Sequence, residues 1–251
     1  LALGPLVCVG ASAAQAADTT KKASELNQKA NQLARSGKLV EAIALWQEAF
    51  GVASGKSKLA IAFNLGVAKV NVGDNRSAYY FLSFYSMSCS DESFKSGSGC
   101  ADAEKAVAAM EVIERSAPEG VARLALHAAD PDVRVCFKAC SPGATHALPG
   151  AWLLEPGSQK LVFERSGREL LKLEVQMASG FRWEYRLQPD VLNGQYLIPA
   201  TKETPLIINL PSLTLEGIER VRRLPSIPTF FHSSAPRDAL RSALPSFDGR
   251  S

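Results

Sequence analysis

Five cysteines and three histidines are the side chains with the widest chemical range in this chain. Cys8 lies in an apolar opening stretch, which leaves Cys89, Cys100, Cys136 and Cys140, an even number as expected in an oxidising compartment. Four thiols allow three pairings. The local one is the most economical, because Cys89 and Cys100 flank the polar loop Ser90 to Gly99, while Cys136 and Cys140 bracket Phe137-Lys138-Ala139. A bridge closing a loop of about a dozen residues stabilises by roughly 2 to 3 kcal/mol, by restricting the unfolded chain. The alternatives ask for patterns that are missing. A zinc site or a redox dithiol would use Cys-x-x-Cys, which does not occur, and His127, His146 and His232 are scattered.

Hydrolytic and phosphate chemistry find no better footing. There is no Gly-x-Ser-x-Gly elbow, and none of the histidines lies in a context that suggests a base for a nucleophile. Asp91-Glu92 sits in a polar loop, where a solvated face is the plainer reading than an acid and base pair at fixed separation. Gly97-Ser98-Gly99 lacks the preceding strand and the lysine of a phosphate-cradling loop. The expectation is a non-enzymatic protein with no cofactor and no metal. A net charge of +3 over 251 residues is too small to imply nucleic acid, and an apolar fraction of 46% is ordinary for a globular chain of two modest domains.

The elements that position these residues begin with a repeat. Asn64-Leu65-Gly66, Gly73-Asp74 and Ala78 match an earlier set, Ala30, Gly37 and Ala42, so small residues recur at offsets of 7 and 12. Small residues let antiparallel helices approach, and glycine takes the left-handed turn between them. The pattern predicts a helix-turn-helix repeat. It resembles the tetratricopeptide repeat (TPR): Leu26, Ala30, Leu33, Gly37, Ala42, Trp46 and Ala49 match in the first copy, and Leu65, Gly66, Gly73 and Ala78 in the second. The second copy departs from the family with Lys69, Leu82 and Tyr85 where an aromatic, an aromatic and an alanine are usual, which predicts a less regular second helix. The step of 36 from Ala30 to Gly66, against the family's 34, is assigned to the connector Ser54-Gly55-Lys56-Ser57. Residues 101 to 116 place Ala103, Val107, Met110 and Ile113 at helical spacing and predict a capping helix that ends at Pro118-Glu119-Gly120.

Past Gly120 the period becomes two. Runs at 121 to 126 and 132 to 137, then Leu161 and Phe163, then Leu171, Leu173, Val175 and Met177, then Phe181, Trp183, Tyr185 and Leu187, predict strands of a small antiparallel β-sandwich. The turns fall at Asp130-Pro131-Asp132, Ser141-Pro142-Gly143, Ser166-Gly167-Arg168 and Ser179-Gly180. The stretch from Leu154 through Pro156-Gly157 to Phe163 resembles the turn and following strand of a PEGA-type β domain, over roughly 121 to 188. The signature tetrapeptide itself is missing, with only Ser141-Pro142-Gly143-Ala144 nearby. The fold class is therefore α+β, TPR-like antiparallel helical hairpins followed by an antiparallel β-sandwich.

Both ends carry their own signals. Leu1 to Ala16 is uncharged and apolar and runs into Ala14-Gln15-Ala16, which reads as a signal peptide remnant cleaved before Ala17. Val7 before Cys8 argues against a lipoprotein. Tyr196-Leu197-Ile198 and Leu206-Ile207-Ile208 are short strand candidates. From 216 to 251 proline, serine and arginine dominate and predict a disordered tail, with Arg220, Arg222 and Arg223 read as a solvated helix end. The expected units are 1-16 leader, 17-118 helical, 119-215 β and 216-251 tail, with no transmembrane segment in the mature chain.

Together these features predict a periplasmic or secreted adaptor whose helical groove binds a protein or peptide partner in the cell envelope. The resemblance maps the groove to Asn27, Asn31 and Arg35 in the first copy and to Phe63, Asn64, Val67 and Asn71 in the second. Asparagines would bond an extended backbone while Phe63 and Val67 take up an apolar side chain. A different class of function is binding of cell-wall glycan by the β domain, with the helices as a dimerisation scaffold. That reading needs Trp152, Trp183 or Tyr185 exposed for stacking, whereas the alternation over 181 to 187 points to core.

Overall fold

The structure, a computed structural model, describes residues 10–90, 98–128, 130–137, 144–180, 182–189 and 196–197. Five helices come first: α1 (Gly10–Arg35), α2 (Leu39–Val52), α3 (Gly55–Asn71), α4 (Asn75–Cys89) and α5 (Ala103–Ser116). A single 3-10 turn at Ser98–Cys100 precedes α5. Within the helical layer α1 packs on α2, α2 on α3, α3 on α4 and α4 on α5.

Gly37 and Gly73 adopt φ of +79° and +82° and close the first and third helices in the same way. Gly37 N donates to Ala34 O and Lys38 N to Leu33 O, and Gly73 N donates to Val70 O and Asp74 N to Lys69 O. These are paired bonds of the left-handed C-terminal cap, which a residue with a Cβ adopts only at a steric cost. Asp74 also caps α4, accepting from Ser77 N at 3.2 Å. The connector between α2 and α3 is shorter than expected. Only Ala53 and Ser54 lie between the helices, and Gly55 to Ser57 already belong to α3. The second helix of the later copy is also regular. α4 is continuous and buried without a break from Ala78 to Tyr85, because α3, α5 and a strand pack against it. In α5 the buried residues are Ala106, Ala109, Met110, Val112 and Ile113, so Val107 faces solvent instead of the core.

The strands follow as β1 (Ala122–Ala128), β2 (Val133–Phe137), β3 (His146–Ala147), β4 (Gly150–Leu154), β5 (Gly157–Arg165), β6 (Arg168–Met177), β7 (Arg182–Pro189) and β8 (Tyr196–Leu197). They form two four-stranded sheets, ordered β4-β1-β7-β8 and β3-β2-β5-β6. Most neighbours are antiparallel, but β1 and β7 run parallel, from Arg123 opposite Arg182 to Ala128 opposite Leu187. A parallel pair needs a long crossover. Here the crossover contains the whole second sheet together with β4, and the chain re-enters beside its starting point, where Gly180 N donates to Gly120 O at 3.2 Å.

The helical and β portions share one continuous buried cluster, running from Ala23 and Trp46 through α4 to Trp152, Phe163 and Leu187. The strand candidate at 206 to 208, the tail from 216, Cys8 and His232 lie outside the described residues.

Candidate functional site

Asn27, Asn31 and Arg35 stand one helical turn apart on α1, and Phe63, Val67 and Asn71 repeat that spacing on α3. Their environments differ. Phe63 is 8% exposed and meets the Tyr85 ring at 5.1 Å, and Val67 is 2% exposed, so both are packed into the interior. Asn27 accepts a hydrogen bond from Trp46 Nε1 at 3.0 Å, and Asn71 Nδ2 donates to Val67 O of its own helix at 3.0 Å. Asn31 on α1 and Asn64 on α3 are half-buried, and their amides have no hydrogen-bond partner among the described residues. Arg35 is exposed.

A second set of polar groups, which sequence reasoning did not single out, lies where the helices meet the first sheet. Glu114 of α5 accepts from Tyr79 Oη of α4 and from Arg182 of β7, and stands 3.5 Å from Arg123 Nε of β1. Arg123 Nε in turn donates to Tyr79 Oη at 2.6 Å. Burial, in the main, pushes the Tyr79 hydroxyl well above the ordinary phenol range, so it stays a neutral donor. One carboxylate thus joins four elements through charge-assisted bonds.

Along the same helix Ser83 is fully buried, its Oγ donating to Tyr80 O at 2.8 Å and accepting from Ala151 N at 2.7 Å. Ala151 belongs to β4, the outermost strand of its sheet, so α4 covers an edge whose N–H would otherwise be orphaned. Tyr80 completes the contact, donating to Ala147 O at 3.0 Å and stacking on Trp152 at 5.2 Å. Gly150 permits this approach, since a Cβ there would lie 2.9 Å from the Tyr80 ring.

A cleft of about 330 Å³ opens beside this junction, between the start of α4 and the end of α5. Asp74, Arg76 and Ser116 supply its polar wall, and Ile113, Val121 and Leu153 its apolar one. Arg76 is paired with Glu155. Burial would raise the Asp74 carboxyl, but bonds from Lys69 and Ser77 outweigh it and hold the group below its usual value. Elsewhere on the surface of the array, Lys58 of α3 lies 4.9 Å from the Phe50 ring centre and 5.9 Å from that of Phe84. Burial, and then the charge of Arg134, bring its amine down to about 8 against the pull of Asp132.

Cys89 and Cys100 form a disulfide with a Cα separation of 5.6 Å, tying the end of α4 to the turn before α5. Cys136 of β2 is also disulfide-bonded, and Cys140 lies outside the described residues. His127 pairs with Glu184 at 3.1 Å in the first sheet, and His146 sits in the second against Tyr80, Phe137 and Trp152. Burial lowers the His146 pKa. Among the described residues no three His, Cys, Asp or Glu converge as a metal ion would require, and no helix is long and apolar enough to cross a membrane. Trp152, Trp183 and Tyr185 are all buried.

No family model matches this chain, and the comparisons with curated proteins and with solved structures found no match.

Proposed function

We propose that the chain is a non-enzymatic envelope adaptor in which a TPR-like array over residues 17 to 118 holds an extended segment of a protein partner. The β portion, read as a small PEGA-like sandwich, anchors that array. The observation that carries this reading is the pair of amides on Asn31 and Asn64, half-buried and without partners among the described residues. An amide held partly out of water carries a desolvation cost until it is bonded, and a peptide backbone offers both the donor and the acceptor it needs. Exposed Arg35 adds a cation at the end of the same stripe. Phe63 and Val67 act beneath the surface, fixing α3 in place. The buried indoles give a glycan no face on which to stack.

Affinity capture from envelope extracts tests this, comparing the mature chain from Ala17 with an Asn31→Ala, Asn64→Ala variant. Deleting the helices would be uninformative, since α4 covers an edge of the sheet. The expected result is loss of a specific protein from the catch with an unchanged circular dichroism spectrum. A folded variant that captures the same protein equally well removes the reading.

A further inference from the structure

Strand β6 ends the second sheet and, among the described residues, pairs on one side only, with β5. It is ten residues long and contains neither proline nor glycine. Its register with β5 is unbroken from Phe163 opposite Leu171 to Gly157 opposite Met177; the shift between Phe163 and Glu164 leaves Leu170 of β6 without an opposite residue, so the regular edge is the stretch from Leu171 to Met177. Exposed edges are normally short, bulged or interrupted, because a row of free N–H and C=O groups is a template for another strand.

Leu173, Val175 and Met177 are buried on one face, and Lys172, Glu174 and Gln176 alternate on the other. A lone lysine on such an edge would repel a second copy. Here Lys172 and Glu174 flank Leu173 symmetrically, which makes the edge complementary to itself. A two-fold axis through Leu173, perpendicular to the sheet, sets Lys172 of each copy against Glu174 of the other and keeps both apolar faces on the same side. Axes one residue away place Lys172 against Lys172, or Glu174 against Glu174, and are disfavoured. Within one chain Lys172 reaches Glu169 at 2.8 Å, and Glu174 accepts from Ser158 Oγ. Both contacts are exposed and so give way readily to a better partner.

We propose that this protein forms a two-fold dimer by antiparallel pairing of β6 with β6 of a second copy, centred on Leu173. The interface is isologous and continues each four-stranded sheet into one of eight. The helical array takes no part in it, and both of its copies stay open to a partner.

Sedimentation equilibrium on the full chain tests the proposal through a charge exchange. The wild type is expected to dimerise. Lys172→Glu and Glu174→Lys should each raise the dissociation constant at least tenfold, with circular dichroism unchanged. An equimolar mixture of the two single variants should form heterodimers, and the double variant should return to wild-type affinity. A wild type that stays monomeric at the highest concentration, single variants that dimerise undiminished, or a mixture that fails to associate would each overturn it.

Discussion

Gly66 on α3 and Leu82 on α4 are so close that a Cβ on the glycine would lie 2.6 Å from both Cγ and Cδ2 of the leucine. Leu82 is fully buried and has nowhere to swing, so the helices would have to part. Alanine gains about 1 kcal/mol over glycine in helix propensity, while overpacking costs about 1 to 3 kcal/mol. Gly66→Ala should therefore destabilise by about 1 kcal/mol in urea unfolding. Leu82→Ala, which alone should cost about 2 to 5 kcal/mol, should cost less in the Gly66→Ala background. Additive effects would show that the two residues do not touch.

Ser83→Ala removes the only protein acceptor for the Ala151 amide described at the β4 edge. An orphaned buried N–H costs about 1 to 3 kcal/mol, and that loss is the expected result in chemical denaturation. Hydrogen exchange at Ala151 should accelerate more than at Ala125, its partner on β1. Equal changes at both would point to global destabilisation alone.

Glu114→Gln keeps the shape of the junction but leaves Arg123 and Arg182 without their shared counter-charge. Breaking a buried pair costs about 3 to 5 kcal/mol, and the partial exposure of this one brings the expectation to about 2 kcal/mol. Added salt should recover part of it by screening the two guanidiniums. A loss below about 0.5 kcal/mol, within the usual range for a surface change, would deny the carboxylate its joining role.

Lys58 gives a pH signature. Its pKa falls from 10.5 to about 8 on folding, so between those values the unfolded chain binds the proton more strongly. Stability from this group is then full above pH 10.5, declines as the pH drops, and is lost below about pH 8. Relative to Lys58→Met, the wild type should gain stability steadily across that window. At pH 7 the variant should be the more stable by about 1 kcal/mol, after allowing for the lost attraction of the cation to Phe50 and Phe84. A flat difference from pH 7 to 11 would contradict this.

Much of the scaffold was readable because certain positions admit few residues. Gly37 and Gly73 marked both turns since their φ is positive, and Leu173, Val175 and Met177 alternated because one face of β6 is buried. Strand β4 was missed. Gly150, Ala151, Trp152 and Leu153 are all buried, since α4 covers this edge, so no alternation survives. Parallel pairing of β1 with β7 leaves no local mark, because it depends on where the second sheet returns the chain. Phe63 and Val67 could be read as groove or core with equal right, as both faces share the helical period, and only Tyr85 arriving from α4 separates the cases. Ser83 carried a faint signal as a small polar residue within the apolar run Tyr79 to Tyr85. Glu114, Arg123 and Arg182 carried none, because they meet only in the folded protein.

The parallel ladder sets an order of events during synthesis. Strand β1 acquires its antiparallel neighbour β4 early, but its other side stays open until β7 has left the ribosome, after the whole second sheet. Contacts of such sequence separation are slow to form and leave apolar surface exposed meanwhile. A nascent chain that stops short of Arg182 lacks not only a strand but one of the cations on Glu114. Helices and sheet are therefore joined late, by a strand that emerges only after the whole second sheet.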